Sequence, residues 1–196
     1  MAEKIDAEKH ASDRRDELLV EQFRRGDKSA FERIVEQYSA DVAALANRLL
    51  GWPGDVEDVT QDIFLAVFLG LKKFRCDCSL KSWLFTITIN KCRSYRQKWK
   101  LRQLQDIPIL LNGVGMRPPH TNTGVSPMNA EEFNRIRLAV AVLPTKYREP
   151  VVLRYLQELD TDEISRILGV SKNTLNVRLS RARKRLKEDL AELIEQ

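Results

Sequence analysis

Residues 160–186 read Asp160-Thr-Asp-Glu-Ile-Ser-Arg-Ile-Leu-Gly-Val-Ser-Lys-Asn-Thr-Leu-Asn-Val-Arg-Leu-Ser-Arg-Ala-Arg-Lys-Arg-Leu186, two short helical patterns split by a Gly-Val-Ser turn. Each carries its own start signal, which leaves the pair little freedom. Asp160 is an N-cap with Glu163 three positions on, Ile164, Ile167 and Leu168 share one face, and Gly169 ends the helix. Ser171 caps the second helix, where Leu175, Leu179, Ala182 and Leu186 form one apolar stripe. The opposite face presents Asn173, Thr174, Val177, Ser180, Arg181 and Lys184, groups able to hydrogen-bond base edges, touch a thymine methyl or meet phosphates. The charges from Ser171 to Lys187 are Lys172, Arg178, Arg181, Arg183, Lys184, Arg185 and Lys187, with no carboxylate among them. A basic run alone is usually a solvated helix face. Here turn, caps and outer face agree on a DNA-reading helix-turn-helix, whose phosphate contacts would make affinity fall steeply with salt.

The rest of the chain bounds the class. Its 196 residues suffice for one domain or two small ones, and 43% apolar with 31% charged residues is a globular balance. The formal charge of +5 favours a polyanionic partner. The excess lies in residues 91–102 and 171–187, whereas residues 55–62 are acidic, so two surfaces of opposite sign are expected. Three cysteines, two of them as Cys76-Asp-Cys78, make no disulfide framework and point to a reducing compartment. Residues 1–17 are charged without an apolar core, unlike a signal peptide, and no later run approaches a membrane span, so no membrane insertion and a cytoplasmic location are expected.

Periodicity predicts an all-α chain of two small domains: a charged tail at 1–17, a helical domain at 18–100, a Pro/Gly-rich linker at 101–128 and a second helical domain at 129–196. Asp27 caps a helix carrying Ala30, Phe31, Ile34, Val35, Tyr38, Val42, Leu45, Leu49 and Leu50; a third runs from about Asp55, and a fourth from near Ser82 into the basic stretch. The β-branched run at 86–89 would suit a strand, but its flanks keep it helical.

Three clusters in the first domain carry chemistry. Asp55, Glu57, Asp58 and Asp62 crowd a helix start, where carboxylates offset the dipole without any function. A metal site on Asp58 and Asp62 would need further oxygen ligands and a base, and no spaced set supplies them; an acidic docking face is the third reading. Trp83, Phe85, Tyr95 and Trp99 interleave with Lys81, Lys91, Arg93, Arg96, Lys98, Lys100 and Arg102, the pattern of a single-strand binder, although core packing suits Trp83 better than base stacking. Cys76 and Cys78 lack two further zinc ligands, since His10 and His120 fall in tail and linker; neither metal nor cofactor is expected.

Gly26-Asp27 with Ala30-Phe31, Asp55-Val-Glu-Asp-Val-Thr-Gln-Asp-Ile-Phe64, Phe74-Arg75 with Ser79 and Trp83-Leu84, Asn90, Leu143-Pro144 with Tyr147-Arg148, Leu153-Arg154-Tyr155 and Arg178-Leu-Ser-Arg-Ala-Arg183 together resemble the extracytoplasmic-function (group IV) sigma factors of bacterial RNA polymerase. The match covers nearly the whole chain in order. The resemblance implies a promoter-specificity subunit without enzymatic chemistry, with region 2 and region 4 domains joined by a linker. It implies that Asp55, Asp58, Gln61 and Asp62 face the clamp helices of the largest core subunit, with the flap as a further contact. Phe74, Arg75, Asp77, Ser79, Lys81, Trp83, Asn90, Lys91, Arg93 and Arg96 would capture and melt the minus-ten element. Ser171, Lys172, Asn173, Thr174, Asn176, Val177, Arg178 and Arg181 would read the minus-thirty-five element, and an anti-sigma partner is implied. The chain departs from the family pattern at Cys76 and Asn173, where Gly is common, and at Leu80, Ile89 and Ser94, where Phe, Arg and Asp are. The competing readings are a helix-turn-helix activator with a helical sensory domain and a metal-dependent nucleic-acid enzyme.

Overall fold

The computed structural model describes residues 2–51, 56–105 and 127–194, with side chains at 12–51, 56–101 and 135–191. Every element among them is helical. In order these are α1 (Ala2–Arg24), α2 (Lys28–Leu50), α3 (Val56–Leu71), α4 (Leu80–Gln105), α5 (Pro127–Val142), α6 (Thr145–Val151) continued by a π-helical turn at Val152–Leu156, α7 (Thr161–Leu168) and α8 (Lys172–Ile194). The linker expected at 101–128 lies mostly outside the described residues, as does Asp55.

The first domain is built around α2, whose Ile34, Val42, Leu45 and Leu50 are fully buried against α1, α3 and α4. Its start is fixed by Asp27, whose Oδ1 accepts the Ser29 N–H at 2.9 Å; the hydrogen bond from the Ser29 hydroxyl is the main cause holding that carboxyl below the ordinary range. Phe68 meets Phe23 and Phe31 edge to face, and those two rings are tilted against each other, so that α1, α2 and α3 are joined by ring centroids 5.0–5.9 Å apart. Residues 86–89 are helical as expected: Thr88 is fully buried and returns its hydroxyl to the Leu84 carbonyl at 2.8 Å, which satisfies a polar group a helix interior would otherwise strand.

The charged segment is helical from Ala2 onward, as the first part of α1. Asp16 supplies the anchor. Its carboxylate is buried, accepting the Tyr38 hydroxyl at 2.5 Å and the Gln37 amide at 3.2 Å. Burial pushes the Asp16 carboxyl up despite these bonds, and pushes the Tyr38 phenol up as well. An acid with a raised folded-state pKa binds its proton more tightly when folded, so its contribution to stability is complete below about pH 4 and declines as pH rises through the raised value. Urea unfolding from pH 3 to 7 is expected to show this extra decline in the wild type and not in Asp16→Asn, which keeps an acceptor for Tyr38 but does not titrate.

Candidate nucleic-acid interface

The helix-turn-helix is capped at the expected points. Asp160 Oδ1 accepts the Glu163 N–H at 2.7 Å, Gly169 turns the chain at φ 64°, and Ser171 Oγ accepts the Thr174 N–H at 3.2 Å. Leu175 and Ala182 are fully buried and Leu179 nearly so, while Asn173, Thr174, Asn176, Val177, Ser180, Arg181 and Lys184 face outward and Arg178 is half-buried. One helix therefore keeps an apolar face for the core and a polar face for a partner. Lys172 pairs with Asp162 of α7 at 2.5 Å, bracing the turn from outside.

Two residues outside the motif join this face. Lys146 and Tyr147, at the start of α6, line an open cleft of about 340 Å³ with Asn173, Thr174, Val177, Arg178 and Arg181. Tyr147 is a buried platform: Lys146 Nζ and the Arg185 guanidinium each lie 5.0 Å from its ring centroid, and Arg181 donates to its hydroxyl. Sequence periodicity gives no sign of Lys146, since its place beside α8 is a tertiary contact.

On α3 the exposed side chains Asp58, Gln61 and Asp62 continue along one face into Leu65 and Leu69, which are 58% and 69% exposed. The opposite face, Val59, Ile63, Phe64, Val67 and Leu71, is core. The face is an exposed apolar patch with a charged edge. The sequence reading names neither leucine; the signal was their position off the core stripe.

The loop before α4 and α4 itself divide their labour differently. Phe74 is buried with its ring 4.8 Å from Trp83, and Arg24 donates to its carbonyl. Trp83 is half-buried over Gly70, where even a Cβ would come within 3.1 Å of the indole. Ser79 Oγ accepts the Ser82 N–H at 3.2 Å, capping α4. Lys81 pairs with Asp41 at 2.7 Å and lies 5.5 Å from the Phe85 ring centroid. Phe85 is fully buried, so it offers no surface to a base. Arg75, Asp77 and Asn90 are exposed, and Lys91 is half-buried. Cys76 adopts φ 58°, and burial pushes both loop thiols up, away from the thiolate that reacts with oxidants.

Arg93 and Arg96 are engaged by the protein. Arg93 grips Glu149 of α6 through two hydrogen bonds of 2.7 and 2.6 Å, and Arg96 donates to the Leu49 and Leu50 carbonyls at the end of α2, at 3.1 and 2.9 Å.

Comparison with known proteins fits this division into two functional units. Residues 34–101 match the family model described as Sigma-70 region 2, and residues 133–186 that described as Sigma-70, region 4. The chain is 30% identical over 179 residues to the ECF RNA polymerase sigma factor SigW of Bacillus subtilis, covering 89% of this chain and 96% of that protein. Among solved structures it is similar to CnrH in complex with the cytosolic domain of CnrY, with a TM-score of 0.66, 28% identity and coverage of 91% of this chain and 98% of that one. It is also similar to the sigma factor RpoE in complex with the anti-sigma factor NepR from Bartonella quintana, with a TM-score of 0.65, 25% identity and coverage of 82% and 96%. Both units are those of a sigma factor of bacterial RNA polymerase. The chain belongs to the ECF sigma factors. It is accordingly a DNA-binding subunit that directs core polymerase to promoters, and not an enzyme.

Proposed function

We propose that the chain is a group IV factor whose first domain, residues 18–100, docks on core polymerase and opens the minus-ten element, while its second, residues 129–196, reads the minus-thirty-five element. The linker at 101–128 joins them. The observation that carries this reading is the pairing, on one chain, of an acidic-apolar docking helix with a capped, basic reading helix. On α3, Asp58, Gln61 and Asp62 meet the basic clamp helices of the largest core subunit, and Leu65 and Leu69 supply the apolar centre that such an interface needs. Arg75, Asp77, Asn90 and Lys91 face the minus-ten strand, whose bases cost a few kcal/mol each to unstack, while Arg93 and Arg96 stay with Glu149 and the α2 carbonyls. Phe74, Ser79 and Trp83 act beneath them, by holding the loop in shape. The second domain takes the flap as its core contact.

An anti-sigma factor restrains the chain under this proposal, as the RpoE–NepR complex illustrates for a relative. Among the described residues no helix is long and apolar enough to cross a membrane. The site of action is the cytoplasm, where the polymerase is.

Binding to purified core, followed by native gel shift, tests the docking face. Asp58→Ala with Asp62→Ala and, separately, Leu65→Ser with Leu69→Ser are expected to weaken association at least tenfold while leaving helical circular dichroism intact; unchanged binding in both would remove α3 from the interface. DNA binding by the second domain's face is tested by its salt dependence. Lys146→Ala is expected to lower the slope of log K against log salt by roughly 0.9, the share of one phosphate, with no change of sequence preference. Asn173→Ala should instead change which promoters are bound.

A further inference from the structure

We infer that Tyr147 is a positioning residue for reading the minus-thirty-five element: its hydroxyl holds Arg181 so that the free edge of the guanidinium meets a guanine in the major groove. This role, which rests on the promoter reading proposed for the second domain, belongs to a residue outside the helix-turn-helix itself.

Tyr147 is fixed before it meets any cation. Its N–H donates to the Pro144 carbonyl at 2.8 Å in the first turn of α6, and its side chain packs into the core, leaving the residue 5% exposed. The hydroxyl end reaches α8, where Arg181 donates to it. Arg181 is itself exposed and shares the cleft with two other cations, Lys146 and Arg178. Among the described residues neither of those two has a hydrogen-bond or carboxylate partner, so of the three cations lining the cleft Arg181 alone has its direction set by a hydrogen bond.

That difference selects a base. An exposed arginine ordinarily samples many rotamers, and freezing them on binding costs affinity; a guanidinium seated on a rigid acceptor has lost that freedom before DNA arrives. Of its five N–H donors in a planar fork one goes to the phenol, and the two needed for guanine O6 and N7 remain. Adenine presents an amine beside N7, cytosine an amine, and thymine a single acceptor, so a fixed fork favours guanine.

The ring has a separate task. Arg185, one turn further along α8, and Lys146 each lie 5.0 Å from its centroid, and neither is paired with a carboxylate among the described residues. Cations gathered round one phenol repel one another; the negative face of the ring offsets part of this, and a DNA phosphate beside them would offset more. Packing of α6 on α8 and the seating of these two cations need only the ring, which Tyr147→Phe keeps. Removing the oxygen therefore separates the direction of Arg181 from the packing beneath it.

Holoenzyme assembled from the full chain and purified core polymerase, presented with promoter fragments randomised across the minus-thirty-five element, tests the role. The wild type is expected to prefer guanine at one position that Arg181→Ala reads indifferently. Tyr147→Phe should lower that preference roughly three- to tenfold, the share of one immobilised side chain, and leave the other positions as they were. The slope of log K against log salt and the thermal melt should not move, because no phosphate contact and no packing is lost. With Arg181 already replaced by Ala, Tyr147→Phe should add nothing. Placing 7-deazaguanine, which lacks the N7 acceptor, at the preferred position should weaken the wild type more than Tyr147→Phe. Equal weakening on every sequence, an unaltered guanine preference in Tyr147→Phe, or a further loss of base preference in the double variant would overturn the positioning role alone. A wild-type holoenzyme with no preference anywhere in the element would overturn the promoter reading of the second domain, and this role with it.

Discussion

The last carbonyls of α2 receive two guanidinium groups, Arg96 from the first domain and Arg148 from the second, and the relative placement of the domains depends on this convergence. A helix C-terminus carries partial negative charge and unsatisfied oxygens, so it is a natural seat for cations. Arg148 Nη2 donates to the Ala141 and Leu143 carbonyls, which also ties the turn between α5 and α6. Burial is the main cause that lowers its pKa to about 10, a value that still leaves it charged at neutral pH. One side chain thus shapes the second domain and fastens it to the first. Its Nε has no partner, so the arrangement carries a desolvation cost that a separated pair of domains would not bear.

Within each domain, rigidity and exposure are assigned to opposite faces of the same helices. On α3 the core stripe from Val59 to Leu71 fixes the helix so that its acidic and leucine face is presented without distortion. On α8 the stripe through Leu175, Leu179 and Ala182 does the same for the reading face, and the Tyr147 platform sets the direction of Arg181 from below. Caps at Asp160 and Ser171 satisfy helix-end donors that would otherwise be free to bond elsewhere, which keeps the turn between the two helices in one shape.

What was legible in the sequence was local. Caps, stripes and the helix-turn-helix are set by residues within a few positions of one another, so their spacing alone placed Asp160, Gly169, Ser171 and the exposed face of α8. The helical reading of residues 86–89 held for the same reason, because their flanks carried the period. Tertiary polar contacts were not legible. Asp16 looked like one more charge in a solvated segment until Tyr38, on another helix, gave it a buried partner. Arg93 and Arg96 looked like free members of a basic run, yet their partners lie 56 residues and about 47 residues away. Leu65 and Leu69 lie off the stripe of Val59, Ile63, Phe64, Val67 and Leu71, and the sequence reading drew nothing from that offset. Phe74 and Ser79 were assigned to DNA by resemblance alone; the fold gives them packing and capping work.

Run-off transcription with purified core bacterial RNA polymerase, on a pool of promoter fragments from the source genome, tests the central claim most directly. The account predicts discrete transcripts that appear only when this chain is added and disappear when Asp58 and Asp62 are both replaced by Ala. A chain that binds DNA by itself but neither associates with core nor starts a transcript at permissive salt would contradict it, and would favour a helix-turn-helix regulator that acts without replacing the polymerase's own specificity subunit.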